Sequence, residues 1–366
     1  MSTDKTQADN ITMASGGDYS LATIGAKHVI DNARSRVLQA TADIQRQSND
    51  HWSLSDMGCA DGGTSLDLWR SVVEQIRTTD DVDIQIVYAD QPFNDFNALV
   101  KILHGHSSFN TYLSDYDHVH VLQSGSSFYS PIVPKQTLHL GFSATAMHWL
   151  RQKPCDISDH IHMVGARGKE SEKFAHQGAM DWQTILLHRS KELRSGGKLV
   201  LVNFCIDENG HYLGNTGGVN MFDNFNSNWQ SLLDDGTIET NEYKSMTLPQ
   251  YYNSIDEFAA PLQDHSSPVY QSGLRLVNIE TATVACPFAE EFKQHGNADR
   301  FAKAYIPTIR SWNESIFFGA LSTTRLLEQR REIIENYYAI YEEQVRENPN
   351  AHGMSYVHAY MTIEKL

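Results

Sequence analysis

Two acids and a glycine turn are the residues whose types and spacing carry chemistry. The run Asp56-Met57-Gly58-Cys59-Ala60-Asp61-Gly62-Gly63 follows a strand-like segment, Trp52 to Asp56. It precedes a helical segment in which Leu66, Leu68, Trp69, Val72, Val73 and Ile76 share a face. Glycine in such a turn lets backbone approach a ligand closely or adopt positive φ, and the start of the following helix offers free N–H groups. The spacing G-x-x-x-G-G differs from the G-x-G-x-x-G of a dinucleotide site. A second acid, Asp90, closes the next strand, Val82 to Asp90, where a carboxylate accepts hydrogen bonds from a ribose diol. The combination points to an adenosine-containing cofactor. An acid ahead of the first glycine suits a cofactor bearing an ammonium and a sulfonium rather than phosphates, and S-adenosylmethionine fits that description.

Other reactive residue types lead less far. Gly141-Phe142-Ser143 begins like a hydrolase nucleophile elbow, but Thr145 stands where that motif requires glycine. Three His-x-His pairs, His104/His106, His118/His120 and His160/His162, have no carboxylate or cysteine set at ligand spacing. They read as strand or surface histidines, and no metal is expected. The four cysteines, Cys59, Cys155, Cys205 and Cys286, form no Cys-x-x-Cys pair, which points to a reducing compartment, the cytoplasm. No secretory signal is visible in the first residues.

These groups need elements to position them. Tyr19 to Ile44 has helical periodicity and reads as one amphipathic helix. Strand texture recurs at Val82–Asp90, His118–Leu122, Thr137–Phe142 and Lys198–Phe204. Helical runs lie at Phe96–Leu103 and at Trp182–Leu193, the latter closed by Gly196-Gly197 as a cap. Alternation of strand and helix over 50–205 argues a parallel, doubly wound α/β sheet. Beyond Asp207 the rhythm breaks into a mainly helical insertion with a piece at Trp229–Leu233. A hairpin is expected from Leu274–Glu280 and Thr281–Ala285, then helices over Phe301–Leu321 and Thr323–Val345. Across the 366 residues, 29 Lys and Arg against 45 Asp and Glu leave a net charge of −16. Such a surface argues against nucleic acid, whose phosphates require clustered cations, and against an anionic membrane.

Several blocks occur in one order: Tyr19 to Ile30, Asp56 to Gly63, Asp90-Gln91-Pro92-Phe93-Asn94-Asp95-Phe96-Asn97, Gly125 to Tyr129, Ser143 to Leu150, Leu248 to Ser254, and Phe317-Phe318-Gly319. This order resembles the SABATH family of S-adenosylmethionine-dependent carboxyl methyltransferases. The resemblance implies a class I methyltransferase, Rossmann-like doubly wound sheet with a mainly α-helical cap over the acceptor, and a homodimer. It divides the chain into a disordered stretch 1–15, a cofactor-binding domain of 16–206 with 271–300 and 322–366, and a cap of 207–270 with 301–321. It assigns the cofactor to Tyr19, Asp56, Gly58, Cys59, Asp90, Gln91, Ser127, Phe128, Ser143 and Ala144. It assigns the acceptor to His148 and Trp149, with Thr145, Trp229 and Phe318 shaping the pocket. Plant members carry a carboxylate-clamping glutamine at the position of Ala26 and an asparagine at Ala22. Those departures, and Ala60-Asp61-Gly62-Gly63 in the turn, mark a divergent microbial or fungal branch.

The expected reaction is in-line methyl transfer from sulfonium to the carboxylate of a small aromatic acid, dicarboxylic acid or monoester. A carboxylate with pKa near 4 is already ionised at neutral pH, so no catalytic acid or base is expected. Two other readings stay open: an N- or hydroxyl-O-methyltransferase with His148 as base, and a non-catalytic cofactor-binding interaction protein.

Overall fold

The computed structural model describes residues 18–45, 51–79 and 81–366; the stretch 1–15 expected to be disordered lies outside them. The chain opens with α1 (Asp18–Ala22) and α2 (Ile24–Asp43), continues through β1 (Trp52–Met57), α3 (Leu66–Arg77), β2 (Ile84–Asp90), α4 (Phe96–Leu103), β3 (Val119–Gly125) and β4 (Leu138–Ala144), and reaches α5 (Lys169–Glu192) and β5 (Leu193–Phe204). A helical stretch follows: α6 (Met221–Asp234), α7 (Thr240–Ser245), α8 (Ile255–Gln263) and α9 (Pro268–Gln271). Then come β6 (Leu274–Val284), α10 (Pro287–His295), α11 (Ala298–Ala320), α12 (Leu327–Glu347) and β7 (Tyr356–Lys365).

The seven strands form one sheet in the order β3-β2-β1-β4-β5-β7-β6. The first five are parallel, and β7 enters antiparallel between β5 and β6. Chain order reverses between β1 and β4, and ligands bind outside the carboxyl ends of strands at such a switch point. β1 is buried along its whole length and so is β4, as expected for strands covered on both faces. Alternation along β5 divides the core. Val200, Val202 and Phe204 join Val29, Trp69 and Tyr356 on one face, while Leu199, Leu201 and Cys205 join Trp182, Phe258 and Met361 on the other.

Four expectations are corrected. The first helix is two, because the chain breaks at Thr23, whose ψ of 46° is not helical. α5 begins thirteen residues before Trp182, at Lys169. Its early inward positions include Gln177, Gly178 and Asp181, so no apolar stripe announces it. Gly196-Gly197 does not cap that helix but lies inside β5, opposite a register shift between Leu138 and Leu140. The expected hairpin is one strand, β6, which pairs along its length with β7, an element absent from the sequence reading. Within 322–366, α12 packs on α6 and α11, and β7 supplies the strand.

That helical packing is aromatic. Trp229 meets Phe317 edge-on at 5.1 Å and Tyr337 at 5.6 Å, and Phe225 meets Tyr341 at 5.4 Å. Edge-to-face pairs at these spacings add to the burial of large rings. Among the described residues no helix is long and apolar enough to cross a membrane.

Candidate active site

The carboxyl ends of β1, β2, β4 and β5 open into a cavity of about 280 Å³. Gly58 leaves β1 with φ of 78°, and a β-carbon there would stand 2.4 Å from Cβ of Ala146, so only glycine lets the turn pass under the cavity. Asp90 ends β2. Its carboxylate accepts from the backbone N–H of Ala60 and of Gln91, each at 2.7 Å. Asn94 donates to the Ala60 carbonyl at 2.8 Å. α1 is tied to the turn by the Ser20 amide, which donates to Asp61 at 3.0 Å, and by the Ser20 hydroxyl, which donates to the same carboxylate. It is tied to α11 by the Thr308 hydroxyl, which donates to the Ala22 carbonyl at 2.6 Å. The helical layer and the glycine turn therefore hold one short helix between them.

Of the residues assigned to the cofactor, Tyr19, Gly58, Asp90, Gln91, Phe128 and Ala144 line the cavity. Asp56 and Cys59 line a small adjoining recess together with Tyr19 and Ala26. Ser143 lies beneath the floor, its hydroxyl donating to the Met57 carbonyl at 2.7 Å. Ser127 is not in the lining; its carbonyl accepts from Ser130 at 2.8 Å in the turn after β3. That turn is anchored by the buried Arg189, whose guanidinium donates to the carbonyls of Phe128 and Ser130 at 2.9 Å each and pairs with Glu192.

Of the acceptor residues, Thr145, His148 and Trp149 reach the cavity. Thr145 does so with φ of 54°, a left-handed conformation unusual for a β-branched residue. Trp229 and Phe318 are not in the lining. Trp229 is buried between α6, α11 and α12, and Phe318 lies under the Arg330 guanidinium at 4.0 Å. Both aromatics pack helices together. Lining residues that sequence reading missed include Asn94, Phe204, Leu213, Gln250, Thr308, Trp312, Met354 and Tyr356. Gln250 and Asn94 lie in blocks that carry the resemblance, so order alone flagged their neighbourhoods. Tyr356 and Met354 had no local signal, because they depend on where β7 inserts.

The electrostatics follow from burial. Asp56 accepts from the Ser65 hydroxyl at 2.6 Å and the Trp69 indole at 2.9 Å, yet its desolvation outweighs these donors and raises its pKa to about 6. Burial also raises Asp90. Neither carboxylate has a Lys or Arg partner among the described residues. Burial lowers His148 to about 3, so its ring is neutral at physiological pH, with Nδ1 unbonded. Of the histidine pairs, His118 and His120 both approach Asp83 at 3.6 and 3.1 Å on the exposed amino-terminal side of the sheet. His160 accepts from the amide of His162 at 3.0 Å. Among the described residues no group of three or more metal-ligating side chains converges.

Comparison with known proteins agrees with this geometry. The family described as SAM-dependent carboxyl methyltransferase matches residues 11–365. The chain belongs to that family. Among its relatives is the farnesoic acid carboxyl-O-methyltransferase of Arabidopsis thaliana, 26% identical over 259 residues that cover 66% of this chain and 69% of that one. Methyltransferase FUS9 of Gibberella fujikuroi is 26% identical over 256 residues, covering 69% and 68%. A solved loganic acid methyltransferase with S-adenosylhomocysteine superposes with a TM-score of 0.75 over 96% of this chain and 98% of that one, at 19% identity. The fold is thus the class I methyltransferase sheet with helices over its switch point.

The enzyme is an S-adenosylmethionine-dependent carboxyl O-methyltransferase. The residues present fit that methyl donor. The buried Asp56, without a cation partner among the described residues, suits a ligand bearing a sulfonium and an ammonium, Asp90 at the end of β2 suits a ribose diol, and the Gly58 cradle, which a β-carbon would fill, admits close backbone approach.

Proposed function

We propose that the acceptor is a monocarboxylic acid with an apolar body. The observation that carries this reading is the lining: Phe204, Leu213, Trp312 and Met354 supply an apolar wall, and no Lys or Arg takes part. Three basic residues, Arg151, Lys153 and Arg310, lie outside the lining. Arg310 pairs with Glu314 and Glu335, Lys153 pairs with Asp156, and Arg151 is exposed. Burying a second carboxylate against this wall without a partner costs several kcal/mol, on the order of the desolvation of one ion. A dicarboxylate is therefore disfavoured, whereas a single carboxylate needs only neutral donors, of which the Trp149 indole is one.

Methyl transfer to that carboxylate breaks one carbon–sulfur bond as one carbon–oxygen bond forms, and moves no proton. S-adenosylmethionine supplies the methyl group. Tyr19, Asp56, Gly58, Cys59, Asp90, Gln91, Phe128 and Ala144 would hold it, with Ser127 and Ser143 supporting that wall from behind. Thr145, His148 and Trp149 face the acceptor. The work of these residues is orientation and exclusion of water, which contribute several kcal/mol. A base is not required, and His148 is a poor one: a ring that takes a proton only near pH 3 cannot draw one from an alcohol or amine at neutral pH. The resemblance further supports a homodimer, and the net charge of −16 supports an absence of nucleic-acid and anionic-membrane partners.

The test is an acceptor screen by mass spectrometry with farnesoic, indole-3-acetic and benzoic acids against phthalic acid and a linear dicarboxylic acid. Esterification of at least one monocarboxylate, with dicarboxylates about tenfold or more poorer in kcat/KM, is expected. Preference for a dicarboxylate would overturn the reading.

A further inference from the structure

Ala26, at the position to which the resemblance gives a carboxylate-clamping glutamine, lines the site. A methyl group cannot hydrogen-bond, so the acceptor carboxylate requires another donor. Two threonine hydroxyls near this helix turn are engaged: Thr23 donates to the Tyr19 carbonyl at 2.7 Å, and Thr308 donates to the Ala22 carbonyl; the Tyr19 phenol is on the side assigned to the methyl donor. Tyr356 is different. Its ring lines the cavity, and its hydroxyl makes no hydrogen bond among the described residues.

Tyr356 also stands in the right place. A β-carbon on Gly25 would lie 2.2 Å from its Cε2 and 2.4 Å from its hydroxyl oxygen. The phenol is pressed against the α2 backbone one residue before Ala26, and only a glycine at 25 admits it. The ring plane is set by Phe204 and His358, stacked at 6.2 and 6.3 Å with interplanar angles of 18° and 13°. Phe204 in turn packs edge-on against His148 at 4.8 Å, so the phenol is positioned from the same floor that carries the His148-Trp149 pair. Burial pushes this phenol well above its ordinary range, which keeps the proton on oxygen and the group a donor.

We infer that the Tyr356 hydroxyl donates a hydrogen bond to the acceptor carboxylate, together with Trp149, in place of the side chain that Ala26 lacks. The inference rests on the reading that the cavity takes a monocarboxylate. It makes Tyr356 a residue of β7 that touches substrate, and it makes Gly25 the residue that gives the phenol its space.

The test compares wild-type protein, Tyr356→Phe and the double variant Tyr356→Phe/Ala26→Gln, with farnesoic acid and indole-3-acetic acid as acceptor probes and calorimetric binding of S-adenosylhomocysteine as the control. Tyr356→Phe keeps the stacked ring and removes one hydrogen bond to a charged group. It should raise KM for the acid about tenfold or more with S-adenosylhomocysteine affinity unchanged. Restoring an amide at position 26 should recover KM to within about threefold of wild type, which a merely structural role for the hydroxyl would not do. Wild-type turnover with an unchanged KM in Tyr356→Phe, or a double variant no better than Tyr356→Phe, would overturn the inference alone. Failure of the wild type to esterify either acid would overturn the monocarboxylate reading with it.

Discussion

Asp56 combines two demands on one side chain. It is buried and takes two donors on one carboxylate oxygen, yet its carboxyl is raised to about 6, so the ionised form is strained in the absence of a cation. A group whose folded pKa lies above its unfolded value stabilises the fold at low pH, and that contribution is lost as pH rises through the folded value. Here the window runs from about 4 to 6. Asp56→Asn removes the penalty while keeping an acceptor for Ser65 and Trp69. At pH 7 without ligand the variant should be more stable by about 1–3 kcal/mol, and S-adenosylhomocysteine should stabilise it less than it does the wild type. Thermal denaturation at pH 7 with and without that ligand checks both signs; a variant melting at or below wild type when unliganded would count against the assignment. Residue types around Asp56 and Asp90 were legible because the glycine spacing and the strand ends are local. Trp229 and Phe318 were misplaced because an aromatic beside a pocket and an aromatic packing two helices look the same in sequence.

At the scale of elements, α5 shows how structure distant from the cavity sets its wall. The last turn of α5 places Arg189 and Glu192 together in the core, with Arg189 fully buried, and from there the guanidinium holds the carbonyls of Phe128 and Ser130. Glu192 accepts from the Ile132 amide at 2.6 Å. The pair thus pins both sides of the turn that follows β3. Arg189→Met would leave Glu192 buried without a counter-charge, a loss of about 3–5 kcal/mol. It would also free the Phe128 wall of the cavity. A lower urea midpoint together with weaker S-adenosylhomocysteine binding is the expected result, and an unchanged ligand affinity in a folded variant would show that the turn holds its shape unaided. β7 makes the complementary point. As the last strand it enters beside β5 and carries Tyr356 to a cavity that also draws Leu213, Gln250, Thr308 and Trp312 from the segments between β5 and β7.

For the whole molecule, charge opposes substrate. A net charge of −16 repels an anionic acceptor at long range, and the cavity offers no cation to reverse that field locally. Capture must rely on short-range neutral donors and apolar contact. Raising ionic strength shortens the Debye length to about 10 Å at 0.1 M. It should therefore increase kcat/KM for a carboxylate such as indole-3-acetate, about two- to fivefold between 20 and 200 mM salt. Steady-state kinetics across that range decide the matter. A fall with salt would point to an attractive field around the cavity mouth.

The sequence by itself determined the doubly wound sheet and the cofactor class. Each is written in short-range pattern: strand and helix periods, a glycine turn, an acid at a strand end. Only the tertiary structure decided the antiparallel insertion of β7, the early start of α5 on polar inward residues, the burial of Trp229, and the meeting of Tyr356 with Gly25 across more than three hundred residues. Those depend on contacts between segments far apart in the chain, and local propensity holds no record of which distant segment will fill a given space.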